Sequence, residues 1–169
     1  MIDHYIYAKL LSKKRFKKFG EVIETDGSDF FSINNNRCKR FDSLGNIDID
    51  FATGKPIISI FRSQSFTLPH KVTLFERHPF GSQAFLPLHT DPFLVIMAEN
   101  KGEAPHGPKA FITNGHQGIN IFRNTWHGIL TPIVKQTDFI VVDRSEAKTN
   151  VEEYYLEVPI HVKLEDENP

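Results

Sequence analysis

Glu76-Arg77-His78-Pro79-Phe80-Gly81-Ser82-Gln83-Ala84-Phe85-Leu86-Pro87, residues 76–87, gathers a carboxylate, a guanidinium, an imidazole and a primary amide around one tight turn between two strand-like runs. Alternate residues of a strand share a face. A strand over 71–78 therefore turns Glu76 and His78 to one side and Arg77 to the other. Pro79 and Gly81 suit a four-residue turn, because proline presets φ and glycine tolerates the exit geometry. Segments 71–78 and 83–88 then read as a hairpin that returns Gln83 close to His78. Trp126-His127, far downstream, offers a second imidazole from another strand. The pattern points to a pocket inside a small β-barrel.

Outward from that stretch, the chain reads as further short strands. Ile57-Ile58-Ser59-Ile60-Phe61-Arg62 is short and β-branched, and Phe93-Leu94-Val95-Ile96-Met97-Ala98 is continuously apolar, as for a strand covered on both faces. Runs at 109–113, 118–123, 139–143 and 154–158 continue the series, and Asn114-Gly115 between two of them is a turn signal typical of hairpins. Segment 12–20 reads as one short N-terminal helix, with Ser12 as cap, Phe16 and Phe19 on one face and Gly20 as its end. Asn34-Asn35-Asn36 reads as a loop. Many short strands with turns between them predict a mainly β fold, a sandwich or closed barrel. No linker divides the chain, so residues 1–169 are expected to form a single domain, with 163–169 a frayed acidic tail.

Bulk properties exclude several classes. The 169 residues carry a net charge of −1 with pI near 6.7, which gives no electrostatic case for a nucleic-acid partner. The basic run Lys13-Lys14-Arg15 with Lys17-Lys18 reads as the wet face of the helix. No apolar run approaches the ~18 residues a membrane helix needs, and the N-terminus lacks the order of a signal peptide. Cys38 is alone, so no internal disulfide forms; it reads as a small buried hydrophobe in a reducing, cytoplasmic setting. The fifteen phenylalanines suit an aromatic core.

The candidate chemistry lies around the opening stretch. The metal-binding strand of the cupins resembles His-x-His, three or four residues, then Glu, with one more His from a later strand. Here the order is Glu76-x-His78, four residues, Gln83, and later His127. Spacing agrees, while two of four ligand types differ. Imidazole and carboxylate suit first-row divalent ions, and an amide is a weak neutral ligand. Glu76, His78, Gln83 and His127 are therefore the candidate metal ligands. Alternatively, Glu76 and His78 join Arg77 or Arg62 in a buried polar network. Asn114, Gln117, Asn120 and Arg123 add amides and a guanidinium within one segment. A guanidinium binds carboxylate bidentately and amides read both ends of a ureido group, so these residues line either a pocket for a small polar anion or solvent-facing loops.

Several words of the sequence are similar to those of the ureidoglycolate lyase family. They are Asp29-Phe30-Phe31-Ser32-Ile33-Asn34-Asn35, the stretch 76–87, 110–120, Arg123-Asn124-Thr125-Trp126-His127, Asp138-Phe139 and Val142-Asp143-Arg144, in the family's order. The resemblance implies a cupin-like, jelly-roll-type β-barrel, a homodimer, and cleavage of (S)-ureidoglycolate to glyoxylate and urea at the end of allantoin breakdown. It also implies a divalent metal, nickel among those associated with the family. The family often has a second His after the Trp-His pair, where this chain has Gly128, and a Gly near position 36, where it has Asn36. On this reading His78, His127 and Glu76 are catalytic: either imidazole titrates near neutrality and serves as base, and Glu76 is ligand or acid. Arg123 or Arg77 clamps the carboxylate, and Gln83, Asn114, Gln117 and Asn120 contact the substrate. Two other readings stand beside it: another metal-dependent cupin enzyme acting on small hydroxy acids, and a non-catalytic small-anion binding module.

Overall fold

A computed structural model describes residues 4–52, 54–145 and 150–165. One short helix, α1 (Lys13–Phe16), accompanies fourteen strands among the described residues. The strands are β1 (His4–Leu10), β2 (Gly20–Ile23), β3 (Phe31–Ile33), β4 (Cys38–Arg40), β5 (Pro56–Ser63), β6 (His70–Arg77) and β7 (Gln83–Pro87) in the first half. The second half holds β8 (Phe93–Lys101), β9 (Ala104–Ile112), β10 (Gly118–Ile121), β11 (Trp126–His127), β12 (Thr131–Pro132), β13 (Thr137–Arg144) and β14 (Glu152–Leu164).

Six strands close on themselves in the order β11-β6-β14-β1-β9-β8, because β11 pairs with both β6 and β8. Beside this barrel lies a five-stranded sheet, β2-β10-β7-β13-β5. Each layer has its own apolar cluster. Inside the closed ring, Ala8, Phe75, Leu94, Ile96, Ala98, Trp126 and Val162 pack together. Between the ring and the second sheet, Phe16, Phe19, Phe85, Phe93, Val95, Met97, Phe111, Ile121, Phe139 and Val141 form the larger core. β8 divides them: its alternate side chains enter the two clusters in turn, and all of Phe93–Ala98 is buried. That is the strand covered on both faces expected from its unbroken apolar run. Each large side chain buried there contributes roughly 1.5–3 kcal/mol.

Several local expectations are corrected. β6 and β7 are not a hairpin, since β6 pairs with β14 and β11 while β7 pairs with β10 and β13. The Pro79–Ser82 segment crosses from the ring to the second sheet. It is held by Asp50 N–H donating to Phe80 O at 2.9 Å and Ser82 N–H donating to Asp48 O at 2.7 Å. Asn114-Gly115 likewise joins β9 to β10 across the two sheets. Gly115 sits at φ +87°, where an added Cβ would lie 2.1 Å from Thr90 O, so the turn demands glycine.

A hairpin does form at β8–β9, with Gly102 and Glu103 both at positive φ in a two-residue loop. Pro105, Gly107 and Pro108 hid it, because they read as a loop. They are accommodated beside a register shift opposite Met97–Glu99, with Gly107 at φ +57°.

The helix is four residues long and not nine; Ser12 caps it, and Phe16 and Phe19 are buried. Gly20 begins β2, and is glycine because a Cβ there would meet Asn120 O at 2.1 Å. Cys38 is exposed on β4 and not buried, because β3 and β4 form a two-stranded hairpin apart from both cores. β1 was not legible in the sequence; it runs parallel to β14 and β9. Of the expected acidic tail, Lys163 and Leu164 lie in β14 and Glu165 approaches Lys9 at 3.7 Å, while 166–169 lie outside the described residues.

Candidate active site

His127 and Glu76 face one another in the β11–β6 register. Trp126 points into the ring, so its neighbour His127 points out of it, beside Met97, toward the second sheet. The candidate site therefore lies between the two layers and not inside the closed ring, where the sequence placed it. His78 follows β6 directly, and its carbonyl accepts from Asn124 N–H at 2.8 Å. The ring centroids of His78 and His127 are 5.2 Å apart. Ligand atoms of Glu76, His78 and His127 all lie within 4.8 Å of one another, the only such group of His, Cys, Asp and Glu among the described residues.

The hydrogen bonds of the two imidazoles define their tautomers. His78 Nδ1 lies 2.8 Å from Asn150 O, and His127 Nδ1 lies 3.0 Å from Gly128 O. A carbonyl oxygen can only accept, so each Nδ1 carries the proton and each Nε2 presents a lone pair. Both Nε2 atoms are buried with no hydrogen-bond partner. Buried polar atoms are normally satisfied, and two unpartnered imidazole nitrogens on residues grouped with a carboxylate are a donor set suited to a first-row divalent ion. The residues fit a metal centre.

Burial decides the electrostatics. His127 is 2% exposed, and its pKa is pushed down to about 3, first by burial, then by the nearby His78, against the opposing pull of the Gly128 carbonyl. His127 is neutral at pH 7 and does not titrate near neutrality as the sequence suggested. The 3.8 Å approach of its Nδ1 to Glu76 Oε1 is accordingly no ion pair. Glu76 is raised above the usual carboxylate range, chiefly by burial; His78 draws it down and Glu153 adds to the rise.

The other residues singled out by sequence separate into groups. Gln83 is buried on the face of β7 that carries Phe85 into the core between the layers. Its Nε2 lies 3.5 Å from Asp143 Oδ2, and its Oε1 is buried without a partner. Arg77 faces away from Glu76 and His78: it donates to Glu152 at 2.7 Å and stacks 4.5 Å over Trp126. Gln117 donates to Glu24 at 2.6 Å and accepts from Asn114 N–H at 3.1 Å, while Asn114 Oδ1 accepts from His116 N–H at 2.9 Å. Asn120 donates to Glu21 and to Asn46 O, both at 2.8 Å. Arg123 is half exposed and approaches Asp48 at 3.4 Å, next to the turn that anchors His78. Asn150 was missed; nothing in its local sequence marks a partner more than seventy residues away.

A void of about 20 Å³ lies beside His127, lined by Met97, Val95, Phe85, Ile121 and Leu130, with room for about one water. Two larger grooves, of about 520 and 510 Å³, contain none of Glu76, His78 and His127.

Fold and site together define a β-barrel protein with a buried imidazole–carboxylate centre set between its two layers. The sequence profile of the ureidoglycolate lyase family matches residues 3–163, nearly the whole chain, and the chain belongs to that family. A ureidoglycolate lyase of Pseudomonas syringae pv. tomato is 47% identical over 161 residues, covering 94% of each chain. One of Chelativorans sp. is 43% identical over 159 residues, covering 94% of this chain and 96% of that one. Among solved structures, a dTDP sugar isomerase from Desulfovibrio desulfuricans covers 80% of this chain and 88% of that one, at 10% identity and a TM-score of 0.43.

Proposed function

We propose that the chain is a lyase that eliminates urea from (S)-ureidoglycolate to give glyoxylate. The observation that carries this reading is the grouping of Glu76, His78 and His127, with both Nε2 atoms unpartnered, in a chain that belongs to this family over residues 3–163. The substrate carbon bears a hydroxyl, a carboxylate and a ureido nitrogen. Elimination breaks the carbon–nitrogen bond, makes the carbonyl, and moves one proton from the hydroxyl to the departing nitrogen.

The residues divide this work. His78 and His127 would hold a divalent ion, nickel among the candidates, with Glu76 beside them. Such an ion, when bound, lowers the pKa of a coordinated hydroxyl. Glu76, whose carboxyl is raised by burial, is suited to take the hydroxyl proton and return it to the leaving nitrogen. Arg123, half exposed and next to the His78 turn, clamps the substrate carboxylate. Gln83 Oε1, buried and open, accepts from the ureido N–H groups. Arg77, Asn114 and Gln117 already spend their groups on protein partners, and Asn120 turns its amide to Glu21 and Asn46 on the face of β10 opposite the core residues Ile119 and Ile121, so we give them no substrate contact. Purified protein given racemic ureidoglycolate should release glyoxylate and urea in equal amounts from one enantiomer. Ammonia in place of urea would mean hydrolysis of the ureido group and a different reaction class.

The same reading places the enzyme at the end of allantoin breakdown, in the cytoplasm, where the exposed Cys38 thiol suits a reducing environment. No described helix is long and apolar enough to cross a membrane. We further propose a homodimer. β5 is an edge strand, and it leaves Ile58 77% and Ile60 65% exposed, an apolar edge that a second copy would cover. Light scattering should report twice the chain mass at micromolar concentration, and a monomer there would remove the dimer.

A further inference from the structure

We propose that Asn150 is the positioning residue that aims His78. Asn150 is 5% exposed and touches the His78 turn twice. Its main-chain oxygen accepts from His78 Nδ1 at 2.8 Å, and its side-chain Oδ1 accepts from Phe80 N–H at 2.8 Å. One residue thus holds both the imidazole of position 78 and the backbone two residues further on. The first contact fixes the proton on Nδ1. The second prevents the turn from sliding relative to the carbonyl that makes the first. The consequence is that His78 Nε2 stays buried and open, on a residue that contributes to the group whose ligand atoms, one each from Glu76, His78 and His127, lie within 4.8 Å of one another. Groups that orient a metal-binding imidazole through its second nitrogen are worth about 10–100-fold in metal affinity.

The inference rests on reading His78 as an Nε2 donor, and its test does not depend on lyase activity. In metal-free, ¹⁵N-labelled full-length protein, the His78 ring shifts should report the Nδ1–H tautomer. Asn150→Ala should populate the other tautomer and weaken binding of Ni²⁺ alone, read by calorimetry, by about 10–100-fold. Asn150→Asp retains the acceptor oxygen and should keep the wild-type tautomer. In a His78→Ala background, Asn150→Ala should cost no further Ni²⁺ affinity. A folded Asn150→Ala protein with the wild-type tautomer and wild-type Ni²⁺ affinity would overturn the proposal, as would an Nε2–H tautomer in the wild type. If Asn150→Ala does not fold, Asn150→Ser, whose oxygen sits one bond short, takes its place with the same expected and overturning results. Failure of the wild type to bind Ni²⁺ would count against the metal reading, and the tautomer measurement would still decide the role of Asn150.

Discussion

Two polar clusters are built around carboxylates on different strands of this fold, and they are finished differently. In one, Glu21 accepts from Asn46 N–H at 2.8 Å, from Asn46 Nδ2 at 3.0 Å and from Asn120 Nδ2 at 2.8 Å, and Glu24 takes Gln117 Nε2 at 2.6 Å. Of the side-chain atoms there, Asn120 Oδ1 is buried without a partner. In the other, His78 and His127 each spend one ring nitrogen on a carbonyl and leave the other buried without a partner. Leaving a buried donor or acceptor unpaired costs about 1–3 kcal/mol. What sets the second cluster apart is that Glu76, His78 and His127 are the one group of His, Cys, Asp and Glu among the described residues whose ligand atoms lie within 4.8 Å of one another. The closed cluster secures loop 42–46 to the second sheet, and the open one is the site.

The comparison is broken most directly by removing its open side. Glu76→Gln should lower turnover by ~10²-fold or more, and His78→Ala and His127→Asn should each lower turnover and weaken Ni²⁺ binding, while the melting temperature stays close to wild type. Turnover and melting read on the same samples decide this; a large melting loss with unchanged turnover per folded molecule would make the open cluster structural after all. The closed side should respond in reverse. Glu21→Ala strips acceptors from Asn46 and the buried Asn120, and should cost about 1–3 kcal/mol in urea unfolding with turnover per folded molecule retained.

Acid should separate the clusters next. In the folded, metal-free protein His127 has a pKa of about 3, against 6.5 when unfolded. The unfolded chain therefore binds a proton that the native state refuses, and this loss of stability begins as pH falls through 6.5 and is complete near 3. Glu76 opposes part of it, since its raised pKa lets the native state take a proton earlier than the unfolded chain does. Urea midpoints at pH 7 and pH 5 should fall more for wild type than for His127→Asn, and equal falls would remove His127 as the source. The smallest effect belongs to the mouth. Arg123→Lys should raise KM several-fold with kcat little changed, because a point charge replaces a bidentate clamp. Loss of kcat with KM unchanged would place Arg123 at the reacting atoms.

Much of the fold was legible in single strands. The unbroken run Phe93–Ala98 announced a strand buried on both faces, and strand alternation correctly put Glu76 and His78 on one side and Arg77 on the other. The pairing of strands was not legible. Turn residues at 79–82 and 114–115 look like hairpin loops, and both instead cross between layers, because a turn fixes local direction and not the sheet that receives the next strand. The 104–108 half of β9 was hidden by its Pro and Gly residues, which a bulge opposite a compliant partner makes tolerable, while the run at 109–113 was read as a strand.

By itself the sequence determined the chemistry available: a carboxylate, two imidazoles and an amide at family-specific spacing, on a chain made of short strands, belonging to a lyase family. Tertiary structure alone decided which of these groups remain open. The sequence weighed Asn120 and Gln117 beside His78 and His127 as equals, since an amide and an imidazole look equally available along a chain. Contacts across many tens of residues, Glu21 to Asn120 on one side and Asn150 to His78 on the other, closed the first pair and tied only one nitrogen of each ring in the second. Hydrogen-bond satisfaction is a property of neighbours in space, and strand spacing carries no record of it.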